Sequence, residues 1–131
     1  MTPFAPDTNT MSCYIRGDGR VAQRLTAVSP KQVGLPAIVV YEIRFGLRRA
    51  ACDAQLAAFN SMVQATHVLS FDAESADHAA AIRVELEALG TPIGPHDLLI
   101  AATARRYQHT LVTHNTREFS RVPGLQLEDW F

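Results

Sequence analysis

Three short apolar runs, Val33-Gly34-Leu35, His67 to Phe71 and Thr110-Leu111-Val112-Thr113, are each separated from the next by stretches with helical spacing. Runs this short cannot be helices on their own, and their apolar character leaves no polar face to turn toward water. Strands buried on both faces and alternating with helices are the mark of an α/β chain around a mainly parallel sheet. The expected architecture is therefore a three-layer α/β/α sandwich. In such sheets the chemistry sits at the carboxyl ends of the strands. Two polar groups, Asp7 and Thr113-His114-Asn115, fall at predicted strand ends.

The rest of the chain fits this frame. Residues 3 to 7 form an apolar stretch ending at Asp7, weakened as a strand by Pro3 and Pro6 because proline cannot donate to a ladder. Asn9 or Thr10 is a candidate cap for a helix through Met11, Tyr14 and Ile15 that stops near Gly17-Asp18-Gly19. A second helix fits Val21 to Val28. Pro36 opens a third through residue 50, with Arg48-Arg49 in its cationic last turn. Leu56, Phe59 and Val63 recur at helical spacing. Asp72 caps a long helix that ends at Gly90, and Gly94-Pro95 opens one through Tyr107. A last strand is expected over Leu125 to Leu127, before Trp130. No repeat or linker divides the 131 residues, so residues 1–131 are read as a single domain.

Composition narrows the class. Hydrophobic residues make up 47% and charged residues 19%, which suits a packed core and not a disordered chain. The formal net charge of -1 excludes a polybasic, non-specific nucleic-acid binder. Of the 12 basic residues only Lys31 is lysine. Arg16, Arg20, Arg24, Arg44, Arg48 and Arg49 crowd the N-terminal half, where they either rim a phosphate-binding cleft or reflect a composition that favours arginine generally. Cys13 and Cys52 match no metal or redox spacing and read as free thiols of a reducing cytoplasm. With no signal peptide and no apolar run long enough to span a bilayer, a soluble cytoplasmic protein is expected, with no membrane partner.

Three acidic residues stand in apolar company. Asp7 follows an apolar stretch, Glu42 lies within Ala-Ile-Val-Val-Tyr-Glu-Ile, and Asp97 precedes Leu-Leu-Ile-Ala-Ala. A buried carboxylate left alone costs several kcal/mol, so each should be paired, hydrogen-bonded or metal-bound. Each has a plain structural explanation: a cap or turn for Asp7, a pair with Arg44 or Arg48 for Glu42, and a helix first turn for Asp97. Together they also suit a hard divalent cation, which takes oxygen ligands and keeps several waters. Glu85, Glu87, Glu128 and Asp129 are expected to be solvated.

Asp7-Thr8-Asn9, Tyr41-Glu42-Ile43 with Gly46, Gly94-Pro95-His96-Asp97 and Thr113-His114-Asn115-Thr116-Arg117-Glu118-Phe119 occur in this order. The ordered set resembles the PIN-domain ribonucleases, and specifically the VapC-type toxins of bacterial toxin–antitoxin pairs. The tail Val122-Pro123-Gly124-Leu125 to Glu128-Asp129-Trp130 is similar to the same branch, and the resemblance covers essentially the whole chain. It implies a Mg²⁺- or Mn²⁺-dependent endoribonuclease toxin in which Asp7, Glu42 and Asp97 are the catalytic and metal-site carboxylates. Asp7 and Asp97 would hold the ion, and Glu42 would complete the cluster or position the attacking water. Asn115 stands where the family often has a fourth acid, with Glu118 one turn on as its compensation. Asn9 and Thr113 are supporting hydrogen-bonders that fix the carboxylates, and Arg16, Arg44 and Arg48 are RNA-binding candidates. His96 and His114 either assist proton transfer or serve as structural partners. Tyr14, Phe45 and Leu47 either line a partner groove or pack in the core.

The resemblance also implies a homodimer and a cognate VapB-type antitoxin whose tail fills the acidic groove. The RNA substrate it points to is a tRNA, cut in the anticodon loop of initiator tRNA. Two other classes compete. A phosphoacceptor signalling domain needs a late lysine, and Lys31 lies in the wrong part of the chain. A catalytically weak PIN-like domain that only binds RNA or protein is left open by Pro6 and Asn115.

Overall fold

The computed structural model describes residues 2–131. Its strands are β1 (Phe4–Pro6), β2 (Gly34–Pro36), β3 (His67–Leu69), β4 (Thr110–Val112) and β5 (Leu127–Glu128). Its helices are α1 (Thr8–Arg16), α2 (Gly19–Ala27), α3 (Ala37–Arg49), α4 (Asp53–Ala65), α5 (Ala73–Ala88), α6 (Pro95–Arg106) and the single turn α7 (Thr116–Phe119). Every strand pair is parallel: β2 with β3, β1 with β4, and β4 with β5. A lone parallel bridge between Phe4 and Val33 joins the two groups, giving the order β3-β2-β1-β4-β5. This is the mainly parallel sheet expected from the alternation of apolar runs and helices.

Pro6 shows how a proline is tolerated inside such a sheet. The Pro3 carbonyl accepts from Thr110 N and Asp7 N donates to Val112 O, so residues 3, 5 and 7 address β4. The donor that Pro6 lacks would face β2 instead, where the pairing is already reduced to the Phe4–Val33 bridge. The ladder that aligns Asp7 with the end of β4 is therefore intact.

The core lies on both faces of the sheet. Ala5, Leu35, Leu111 and Val112 are fully buried, and Trp130, Phe59 and Phe119 are the largest side chains inside. Trp130 packs edge-on against Phe4 with ring centroids 5.1 Å apart, which seals the C-terminal tail onto the first strand. A parallel sheet also brings backbones close, and Gly34 marks the tightest place. A Cβ there would stand 2.8 Å from His109 Nε2 and 2.9 Å from Leu69.

Several boundaries differ from the sequence expectations. The cap of α1 is Asp7, not Asn9 or Thr10; its Oδ1 accepts from Thr10 N at 2.9 Å. Asp72 caps α5 as expected, accepting from Ser75 N at 2.8 Å. β3 ends at Leu69, and β5 is shifted to Leu127–Glu128 because those two residues carry the register with Leu111 and Val112. The short helix α7 has too few residues to show periodicity. Glu128 and Asp129 are not simply solvated: Glu128 accepts from Trp130 Nε1 and Arg24, and Asp129 from the Phe131 amide, with His114 beside it. No described helix is long and apolar enough to cross a membrane.

Candidate active site

β1 and β4 are parallel neighbours, so their carboxyl ends abut. Asp7 follows β1 directly, and Thr113 to Asn115 follow β4. α3 leaves β2 without a loop and presents Glu42 in its second turn, while Asp97 stands in the first turn of α6. Four elements distant in sequence thus deliver their polar groups to one end of the sheet.

The hydrogen bonds tie these groups together. Glu42 Oε1 accepts from Thr8 Oγ1 at 2.6 Å, and Glu42 Oε2 lies 3.0 Å from His96 Nδ1. Its two oxygens therefore reach the chain neighbours of both aspartates. Asp7 is 5% exposed and uses Oδ1 for its cap bond, while Oδ2 carries no hydrogen bond among the described residues. The cap reading of Asp7 holds: one oxygen caps the helix, and the other is left without a hydrogen bond among the described residues. Burial pushes the Asp97 carboxyl above its ordinary range, and the negative charges of Glu118, Asp7 and Glu42 push it further, with His96 opposing. Each of these acids is thus close enough for its charge to be felt at Asp97. The expectation that Glu42 pairs with Arg44 or Arg48 fails. Arg44 Nε donates instead to Asn60 Oδ1 at 3.0 Å, and Arg48 is exposed at the end of α3.

The rim has its own logic. Asn115 Nδ2 donates to Glu118 Oε2, so the amide after β4 orients the carboxylate one turn on. Glu118 is the charged member of this pair. Thr113 Oγ1 accepts from Asn115 N at 2.9 Å and fixes this turn, not a carboxylate. Asn9 is exposed and makes no side-chain hydrogen bond among the described residues; Thr8 Oγ1 and the Thr10 backbone amide hold the carboxylates instead. Thr10 Oγ1 donates to Val112 O at 3.0 Å and thereby locks α1 to the end of β4. Thr8 carried no signal of its own in the sequence beyond its place beside Asp7. His114 is drawn away from the acids: it stacks on Phe131 at 4.4 Å, and its Nδ1 lies 3.0 Å from Asp129 Oδ2. Arg16 is held by Asp18 at 3.0 Å and by Cys13 Sγ at 3.2 Å, and lines the groove that also holds Glu42.

The donors at this end of the sheet are oxygens, which a hard cation prefers over nitrogen or sulfur. Among the described residues no three His, Cys, Asp or Glu side chains close round a single point as a complete metal cage. The repulsion that raises Asp97 is what a bound cation would relieve.

The PIN domain family model matches residues 5–125. The tRNA(fMet)-specific endonuclease VapC of Salmonella typhimurium is 33% identical over 131 residues, with 99% of each chain covered. The protein of the same name from Shigella flexneri is 34% identical, again over 99% of each chain. The crystal structure of DNA-bound VapBC from Salmonella typhimurium superposes with a TM-score of 0.90 at 33% identity, covering all of both chains. The chain belongs to the PIN domain family, and within it to the VapC ribonucleases.

Proposed function

We propose that the protein is the toxin of a VapBC pair, a divalent-metal-dependent endoribonuclease whose working carboxylates are Asp7, Glu42 and Asp97. The single observation that carries the assignment is Glu42 joined by its two oxygens to Thr8 and His96, beside the two aspartates. Asp7 Oδ2 and the Asp97 carboxylate would hold the ion, Mg²⁺ or Mn²⁺. When bound, such an ion stabilises charge on a phosphodiester and lowers the pKa of a coordinated water. Thr8 and His96 keep Glu42 aimed at the same place, where it can accept a proton from the attacking water. Glu118, oriented by Asn115, adds the fourth negative charge. The relatives named for tRNA(fMet) support initiator tRNA as the substrate.

The neighbouring VapBC complexes support a VapB antitoxin as partner, and the homodimer follows from the family resemblance. The groove lined by Thr8, Ser12, Ile15, Arg16, Glu42 and Leu47 begins at the carboxylates and would take the antitoxin tail. Phe45 does not line it.

The test is cleavage of purified tRNA with the RNA ends mapped. The wild type should cut with Mg²⁺ or Mn²⁺ and stop on addition of EDTA. Asp97→Asn should lose on the order of 100-fold in rate. Cutting that survives EDTA, or an Asp97→Asn protein as active as wild type, would remove the metal-site assignment.

A further inference from the structure

Tyr41 and Phe45 are 55% and 53% exposed, although aromatic side chains of this size normally contribute to a core. They lie one turn apart on α3, with ring centroids 6.5 Å apart and planes inclined by only 28°. One turn further, the Arg49 guanidinium sits 5.2 Å from the Phe45 centroid. At the other end the Tyr41 ring meets the His96 ring edge-on at 5.8 Å, and His96 Nδ1 is 3.0 Å from Glu42. The stripe therefore starts at the carboxylates and runs outward along α3 to a cation. Core packing does not explain it, since both rings face solvent, and the Tyr41 hydroxyl makes no hydrogen bond among the described residues.

We propose that Tyr41, backed by Phe45 and Arg49, is a stacking platform that holds an unpaired nucleobase next to the phosphodiester at the carboxylates. This rests on the ribonuclease reading above and names what in the RNA is gripped. The occupant must offer a flat π-face to Tyr41 and negative charge to Arg49 while its backbone lies at an acidic site. A single-stranded nucleotide offers all three. An aliphatic protein surface would leave the cation without a partner. Aromatic stacking accepts any base, so the platform selects for single-stranded loops and not for sequence. A base paired within a helix cannot reach it. The chain's near-neutral net charge is consistent with this, because the grip depends on ring contact and one placed arginine more than on a basic field.

The experiment measures binding of a short fluorescein-labelled single-stranded RNA by anisotropy in EDTA, with Mg²⁺-dependent cleavage kinetics of the same RNA in parallel. Wild type, Tyr41→Ala, Tyr41→Phe and Tyr41→Trp are compared. Tyr41→Ala should weaken binding on the order of 10-fold and raise KM with little change in kcat. Tyr41→Phe and Tyr41→Trp should restore both, and a labelled RNA duplex should bind all four proteins alike. Because Tyr41 is exposed, the melting temperature should not move. Equal binding by Tyr41→Ala and wild type overturns the platform, and if wild type still cuts RNA the ribonuclease reading stands without it. A Tyr41→Ala protein that sediments as a smaller species, with RNA affinity tracking only that change, also overturns it in favour of an interface between copies. A wild type that binds no single-stranded RNA overturns the platform. If it also cuts none, the ribonuclease reading falls with it.

Discussion

The two ends of the sheet treat charge in opposite ways. At the carboxyl end burial raises the Asp97 carboxyl, and the gathered charges of Glu118, Asp7 and Glu42 raise it further. At the amino end His109, just before β4, is only 9% exposed, which disfavours its charged form. Its Nδ1 lies 2.9 Å from the Tyr107 carbonyl, so Nδ1 donates, and Nε2 is buried without a partner beside Gly34. Burial lowers the His109 pKa, His67 adds to that, and the Tyr107 hydrogen bond opposes it. One end collects charge of a single sign where a counter-ion can reach it. The other excludes charge and is closed by packing. Like charges crowded together cost stability at the carboxyl end, and the packing end avoids that cost.

Asp7 gives the largest effect. Asp7→Asn and Asp7→Ala should both lose on the order of 100-fold in cleavage rate. Asparagine still caps a helix, whereas alanine does not, so only Asp7→Ala should also lose about 1 kcal/mol of stability. Denaturant melts beside cleavage assays separate the two roles. If Asp7→Asn melts like Asp7→Ala, the cap assignment is wrong.

Gly34→Ala probes the other end. The added methyl meets His109 Nε2 and Leu69, so the protein should lose roughly 1–3 kcal/mol. Cleavage per folded molecule should be unchanged, because Gly34 begins β2 at the end of the sheet away from the acids. A selective loss of activity in a fully stable Gly34→Ala protein would erase the distinction between the two ends.

The smallest effect is the pH dependence of His109. Its folded pKa lies below the ordinary 6.5, so protonation favours the unfolded chain. The stabilising contribution of the neutral ring is present above 6.5 and is lost as pH falls through 6.5 toward the folded value. His109→Gln should flatten the slope of stability against pH in that window, and an unchanged slope would mean that His109 does not carry it.

Much of this division was legible in the sequence. Asp7, Glu42 and Asp97 each stood out because a carboxylate in an apolar run needs a reason, and the strand spacing placed two of the polar groups at strand ends. The partners were not legible. Thr8 reaches Glu42 across 34 positions, and His96 reaches it across 54, so neither bond leaves a local trace. The resemblance pointed to Asn9 as a supporting residue, and its side chain also suited a cap, but the helix is capped earlier, at Asp7, and Asn9 is left exposed. Phe45 could not be sorted between core and surface, since a mostly apolar helix shows no clear polar face; its exposure is decided by which side α3 lays on the sheet. Glu128 and Asp129 looked solvated because their partners, Trp130, Arg24 and His114, meet them only once β5 pairs with β4.

The central claim is that the acids at the carboxyl end are crowded so as to receive a cation. The most direct test follows the Asp97 side-chain carboxyl by NMR through a pH titration, with and without Mg²⁺. Without the ion its pKa should lie above 3.8, the value of an unperturbed aspartate, and saturating Mg²⁺ should bring it down. An Asp97 pKa that is unshifted in the free protein, or raised and unmoved by Mg²⁺, would contradict the account.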